Sequence, residues 1–159
     1  MDFSKLSAGA KLALVGGVIL LVNMFLPWFS VDLGPLGSDS GNAFDSGFLA
    51  WGGSLIAVAG ALVLLLKASG RQAVNMGEFK TEQVALILAA LGTVLIVIKV
   101  ITGHSILGLS LDRSIGVFLG VIAGAAVTYG AFMAMKDAGL EMPGMGGGGS
   151  GSGGGDTGM

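Results

Sequence analysis

The chain contains no cysteine and few charged residues for its length. The absence of cysteine excludes disulfides, thiolate metal sites and a cysteine nucleophile together. Charged residues make up 11% of the chain, whereas a typical soluble domain carries about a quarter. The formal net charge of −2 leaves no basic surface for nucleic acid, which we therefore exclude as an expected partner. These shortages point away from an ordinary soluble domain.

What the chain has in abundance is apolar sequence, which accounts for 53% of its residues. It is concentrated in four stretches, 12–31, 48–66, 84–101 and 115–135. Each is close to the roughly 20 helical residues that cross the roughly 30 Å hydrocarbon core of a bilayer. Backbone amides in lipid must be satisfied within the segment, so each stretch should be an α-helix. We therefore predict an all-α fold, an integral-membrane antiparallel four-helix bundle over residues 1–141.

The first apolar stretch has to be distinguished from a cleaved signal peptide. Lys5 and Lys11 precede it, as basic residues precede the apolar region of a signal peptide. The stretch is longer than the usual roughly 7–15 apolar residues, however. It also ends in LPWF at residues 26–29, without a small-x-small cleavage site. We expect it to be retained as a membrane anchor.

Basic residues are distributed unequally between the two sides that four crossings define. The side with the termini and the loop 67–83 carries six of the eight: Lys5, Lys11, Lys67, Arg71, Lys80 and Lys136. The other side has Arg113, with Lys99 close by at the end of the third stretch. By the positive-inside rule both termini are cytoplasmic. Trp28 and Trp51 then fall at the outer interface, where indole rings prefer to lie.

The C-terminal residues 142–159 differ from the rest of the chain. From 144 to 155 the sequence is almost entirely glycine and serine. Such a sequence cannot bury enough apolar area to offset the entropy lost on ordering. We predict a disordered, Gly-rich cytoplasmic tail.

Small residues recur at four-residue intervals within the apolar stretches, a spacing that lets helix backbones approach closely in lipid. The predicted helix-packing positions are Gly116, Gly120 and Gly124 in the fourth stretch and Gly53, Ala57 and Ala61 in the second. The third stretch has Ala85, Ala89 and Thr93 in a similar register. Two interpretations stay open: packing within one four-helix bundle, or a homo-oligomer seam along the glycines of the fourth stretch.

The apolar stretches contain one side-chain amide, Asn23, and one charged residue, Lys99. An intramembrane ionisable group such as Lys99 is by default a sign of an ion path or relay. Lys99 is near the outer end of its stretch, so its long stem can also snorkel to the headgroups and pair with Asp32 or Asp112. We favour snorkelling, and we expect the amide of Asn23 to make an interhelical hydrogen bond rather than to bind a ligand.

The outer loops contain polar residues without a recognisable catalytic or metal-binding pattern. His104 is next to Ser105, but no third residue is placed to orient the imidazole. Asp39, Asn42 and Asp45 lack the alternating spacing and the distal glutamate of an EF-hand loop. No phosphate loop, dinucleotide fingerprint or nucleophile elbow occurs. We predict a protein that is not an enzyme and has no cofactor, metal site or catalytic residue.

The sequence LPWFS at residues 26–30 resembles small, uncharacterised four-span membrane proteins of bacteria, especially actinobacterial ones, in which an LPW(F/Y) step closes the first helix. The resemblance implies a four-helix bundle in a bacterial plasma membrane and transfers no activity. It covers the overall layout and these five residues.

Three functions are compatible with this layout. The first is a non-enzymatic scaffold or accessory subunit of a membrane assembly, whose partners are the lipid bilayer and other membrane proteins or copies of itself. The second is a small oligomeric pore or holin-like permeabiliser, which needs a polar lining repeated around an axis. The third is a transporter, which usually shows repeated halves and interrupted helices. Because polar residues in the apolar stretches are few and scattered, we favour the scaffold and keep the pore as the alternative.

Overall fold

The computed structural model describes residues 6–68, 80–103, 105–106 and 109–139. The described residues form four α-helices: α1 Ala8–Asn23, α2 Phe48–Ala68, α3 Thr81–Thr102 and α4 Ile115–Asp137. They also form five short strands: β1 Phe29–Asp32, β2 Ser38–Gly41, β3 Ser105–Ile106, β4 Leu109–Ser110 and β5 Asp112–Arg113. By length and composition α2, α3 and α4 could each cross a membrane, whereas α1 is a shorter apolar helix of 16 residues.

Helices α2, α3 and α4 begin and end within three residues of the predicted apolar stretches. Local signals fix several of their ends. Ser7 caps α1, accepting a hydrogen bond from the Ala10 amide at 3.2 Å. The Gln83 side chain accepts one from the Lys80 amide at 2.9 Å at the start of α3. Gly103 ends α3 with φ 71°, a backbone conformation that favours glycine.

The four helices pack against one another through small residues. Antiparallel α1 and α4 meet so closely that a Cβ added to Gly130 would lie 2.5 Å from both Ala13 N and Gly9 O. Antiparallel α2 and α3 meet at Gly60, where a Cβ would lie 2.7 Å from Ala85 O. We call the end that carries Lys67, Lys80 and Lys136 the lysine end, and the opposite end the sheet end.

A three-stranded antiparallel sheet, in the order β2-β1-β5, covers the sheet end. Residues 29–32 of β1 pair with 41–38 of β2, and Phe29 pairs with Arg113 of β5. Strands β3 and β4 form a separate antiparallel pair. The described residues are mostly helical, as predicted, and these short strands are the exception, because the two connecting segments pair with each other across the sequence.

The predicted first stretch, 12–31, also differs from the helix that the structure contains. Helix α1 begins earlier, at Ala8, and ends at Asn23. Proline disfavours the helical conformation in the residue before it, so the helix cannot run smoothly through Leu26 and Pro27. The amides of Phe25 and Leu26 instead bond the carbonyls three residues back, at 3.1 Å each. Phe29, which the sequence assigned to the helix, opens strand β1.

Candidate functional site

The segment 24–29 joins α1 to the sheet, and Trp28 is its centre. The indole is fully buried, and its Nε1–H donates to the Asn23 carbonyl at 2.9 Å. Cβ atoms added to Gly116 or Gly120 of α4 would lie 2.7 Å and 3.1 Å from this ring. Trp28 is therefore a buried wedge between α1 and α4, where these glycines leave room for it, and its depth at the outer interface stays a prediction.

The same segment satisfies backbone donors at the start of α4. The first amides of a helix have no partner within that helix. Here Gly116 N–H donates to Pro27 O at 2.9 Å, and Ser114 N–H donates to Trp28 O at 2.8 Å. Ala43 N–H likewise donates to Met24 O at 3.1 Å. The non-helical segment therefore accepts hydrogen bonds from the start of α4 and from Ala43 after β2.

Asn23 is fully buried beside this wedge. Its Nδ2 donates to the Gly116 carbonyl at 2.8 Å, an interhelical bond between α1 and α4. Among the described residues its Oδ1 has no hydrogen-bond partner. The amide therefore links two helices with one of its two polar ends.

Lys99 lies at the sheet end of α3 and is 8% exposed. Its Nζ is 5.5 Å from the centroid of the Phe29 ring, a cation–π distance. The Lys99 side chain is therefore buried against the first residue of β1, at the sheet end, and its snorkelling to the headgroups stays a prediction. Arg113 covers the same helix end from β5, with Nε donating to Val100 O at 2.7 Å.

The predicted helix-packing residues do not form one seam. Gly116 and Gly120 receive Trp28, and Gly124 receives Thr93 of α3, whose Oγ1 would be 2.8 Å from an added Cβ. The second group is divided as well: Gly53 and Ala57 face α3 at Gly92, and Ala61 faces Gly17 of α1. The glycines of α4 are thus occupied within the chain, which removes them as a free seam for a second copy.

Two close approaches escaped the sequence reasoning. Gly9 is opposite Gly130 and Ala134, and Gly92 is opposite Gly53 and Ala57. A search at four-residue intervals missed both, because their spacing is four and then three. Gly9 is followed in this way by Ala13 and Gly16, and Gly92 follows Ala85 and Ala89. A helical face follows alternating steps of three and four, so the mixed spacing would have found them.

A polar contact joins α3 and α4 near their middle. The hydroxyls of Thr93 and Thr128 are 3.0 Å apart, and Thr128 Oγ1 is also 2.9 Å from Gly124 O, to which it donates. Both hydroxyls are thus used in helix contacts.

The polar residues of the loop before α2 hold the loop itself. Asn42 Oδ1 accepts from the amides of Phe44 and Asp45 at 2.9 Å and 3.2 Å, and Asp45 Oδ2 accepts from the Asn42 amide at 3.2 Å. No group of three or more His, Cys, Asp or Glu that could hold a metal occurs among the described residues. His104, Lys5, Arg71 and the tail 142–159 lie outside the described residues.

The lysine end contains a cavity of about 420 Å³ to which all four helices contribute. Lys67 from the end of α2 forms an ion pair there with Glu82 from the start of α3. Each charge also has the favourable sign for the dipole of its own helix end. Asp137 of α4 is a second carboxylate on the same cavity.

Comparison with known proteins finds no matching family model, no matching curated protein and no matching solved structure. The resemblance carried by residues 26–30 therefore stays a prediction. The function has to be argued from the arrangement of the helices, the sheet and the cavity.

Proposed function

We propose that the chain is a four-span bacterial plasma-membrane protein that acts as a non-enzymatic scaffold or accessory subunit of a membrane assembly. Outward-facing apolar stripes support the membrane placement. On α3 the exposed side chains Ile87, Leu91, Val94 and Ile98 follow helical spacing. Exposed apolar surfaces of this extent mark contact with lipid or protein.

Helix α1 belongs to the same bundle in this proposal, although it is short. Its 16 residues rise only about 24 Å. The segment 24–29 extends it, and irregular backbone is tolerated at membrane depth only where protein buries it and its polar groups are bonded. The bonds from Trp28 and Pro27 to α4 meet that condition. Exposed Val15, Val18 and Val22 give α1 a lipid-facing stripe of its own.

The orientation follows from charge. Lys67, Lys80 and Lys136 lie at the lysine end, whereas Lys99 and Arg113 lie at the sheet end. The lysine end is therefore cytoplasmic by the positive-inside rule, with both termini on that side.

The observation that supports the scaffold function is that residues inside the bundle contact and bond neighbouring helices. Buried helix faces are filled with small residues in close backbone contact, and interior polar groups such as Asn23, Thr93 and Thr128 bond neighbouring helices. A pore or transport path would need such groups to face a water-filled axis. What remains for interaction is the outside, namely the apolar stripes and the sheet fixed to the helix ends.

Affinity purification from membranes tests this proposal. A tagged full-length chain, extracted in mild detergent, is expected to co-purify with a defined membrane protein at fixed stoichiometry. Cross-linking from Leu55 or Leu91, both exposed on helix faces, should capture the same partner. Recovery of the chain alone in every detergent would contradict the scaffold.

The pore alternative is tested separately with purified protein in liposomes. We expect no leakage of a small dye, and no difference between wild type and Lys99→Gln. Leakage through a closed homo-oligomer that the Gln variant abolishes would establish the alternative.

A further inference from the structure

The cavity at the lysine end has an apolar inner part and a charged rim. Ala10, Leu64 and Ala134 line it and are at most 6% exposed. Leu64 and Lys67 are one helical turn apart on α2, and Ala134 and Asp137 are one turn apart on α4. On both helices the lining of the cavity therefore changes from apolar to charged toward the lysine end.

The charges of the rim are mixed. Of the described residues that line the cavity, Lys67 is cationic, and Glu82 and Asp137 are anionic. The Glu82 side chain is 7% exposed and the Lys67 side chain 47%, so the Lys67 end of this ion pair is the part accessible to a further anionic group. A ligand that matches the rim carries an anionic group for Lys67 and an ammonium for the carboxylates.

We propose that this cavity binds the headgroup of a zwitterionic aminophospholipid, such as phosphatidylethanolamine, from the cytoplasmic leaflet. The phosphate contacts Lys67, the primary ammonium donates hydrogen bonds to Asp137 and Glu82, and the first part of the acyl chains lies along Ala10 and Leu64. The cavity volume of about 420 Å³ falls in the usual range for small-ligand sites, roughly 300–1,000 Å³. This inference rests on the membrane placement in the proposed function and not on scaffolding.

The charge balance favours this headgroup over its commonest relatives. A purely anionic lipid would bring negative charge to a rim whose described residues supply two carboxylates and one ammonium. A choline headgroup presents a quaternary ammonium without N–H donors, so it cannot form charge-assisted hydrogen bonds with the carboxylates.

Native mass spectrometry of the detergent-purified full chain, titrated with single lipids, tests the site. We expect dioleoyl phosphatidylethanolamine to bind about tenfold more tightly than the choline or glycerol analogues, the effect of one charge-assisted hydrogen bond. Asp137→Asn should reduce that preference about threefold or more without affecting folding, since Asp137 is exposed. Lys67→Met should weaken binding further. Lys136→Met is the matched control, because Lys136 lies over Phe132 rather than in the cavity.

Three results would overturn the inference. The first is equal binding of all three headgroups, and the second is an Asp137→Asn variant that discriminates as well as wild type. The third is competition by soluble phosphoethanolamine as effective as that of the lipid, which would identify a free zwitterion instead. Alkaline carbonate extraction tests the membrane placement of the proposed function separately. Release of the chain from membranes would contradict that placement, whereas the results above contradict the lipid site alone.

Discussion

At the residue scale, packing between the helices depends on glycines, which have no side chain. In lipid, apolar side chains gain little by leaving the bilayer, so helices associate through close backbone approach and a few hydrogen bonds. Gly130 provides the approach between α1 and α4 near the lysine end. Asn23 provides the hydrogen bond between the same helices near the sheet end.

Gly130→Ala should destabilise the protein by about 1–3 kcal/mol, the usual cost of overpacking. The new methyl group would meet Ala13 N and Gly9 O, which are backbone atoms and cannot swing away. The control is Gly52→Ala, whose methyl group would be nearest the ring of exposed Phe48, a side chain that can move. Unfolding free energies in mixed micelles check the pair, and equal stability of the two variants would contradict the described packing.

Asn23→Ala should cost about 1 kcal/mol, the magnitude of an interhelical hydrogen bond in lipid. Asn23→Asp should cost more. A carboxylate there cannot donate to Gly116 O and has to be buried as a charge or take up a proton. The same unfolding assay ranks the two, and an Asp variant as stable as the Ala variant would show that the site is hydrated.

At the scale of elements the molecule divides into parts that the sequence predicts well and parts that it does not. Helices α2, α3 and α4 are visible in the sequence because an apolar run of sufficient length specifies a helix locally. The end of α1 was placed too late, since Phe29 is as apolar as the helix before it. Strand β2, with the sequence SDSG, carries no strand signal at all, and it forms only because β1 lies beside it.

The sequence predicted which residues lie between the helices, but not which residues they contact there. Four-residue spacing identified the glycines of α4, and its place in an apolar stretch identified Asn23, as candidates for helix contacts. The sequence could not show that Gly116 and Gly120 receive an indole, because Trp28 is far away in sequence and reaches them only after the chain turns at Pro27. The contact between Lys99 and Phe29 depends on the same turn.

Trp28→Ala should destabilise the protein by about 3–5 kcal/mol, as large-to-small changes in a core do. It removes a fully buried ring and the bond to Asn23 O. Trp28→Phe should cost less, because it keeps part of the ring volume. Trp51→Ala is the control at a half-buried indole. Chemical denaturation followed by the remaining tryptophan fluorescence measures these changes, and equal losses at both positions would contradict the wedge.

At the scale of the whole molecule the sheet and the lysine end are the two surfaces that differ from the exposed apolar sides of the helices. The sheet is fastened to α1 and α4 through backbone bonds of the segment 24–29, so it should move with the helices as one unit. At the lysine end all four helices line an open cavity. A partner on the sheet end and a lipid bound at the lysine end would therefore both contact α1 and α4.

The central claim, that four segments cross the membrane with both termini inside, is tested most directly by cysteine accessibility in intact cells. The natural chain has no cysteine, so single replacements of exposed Ala8, Ser40 and Ala138 report independently on the start of α1, the sheet and the end of α4. We predict that a membrane-impermeant maleimide labels Ser40→Cys in intact cells and labels Ala8→Cys and Ala138→Cys only after permeabilisation. Labelling of Ala8→Cys together with Ser40→Cys in intact cells would place both ends of α1 outside and contradict the four-span arrangement.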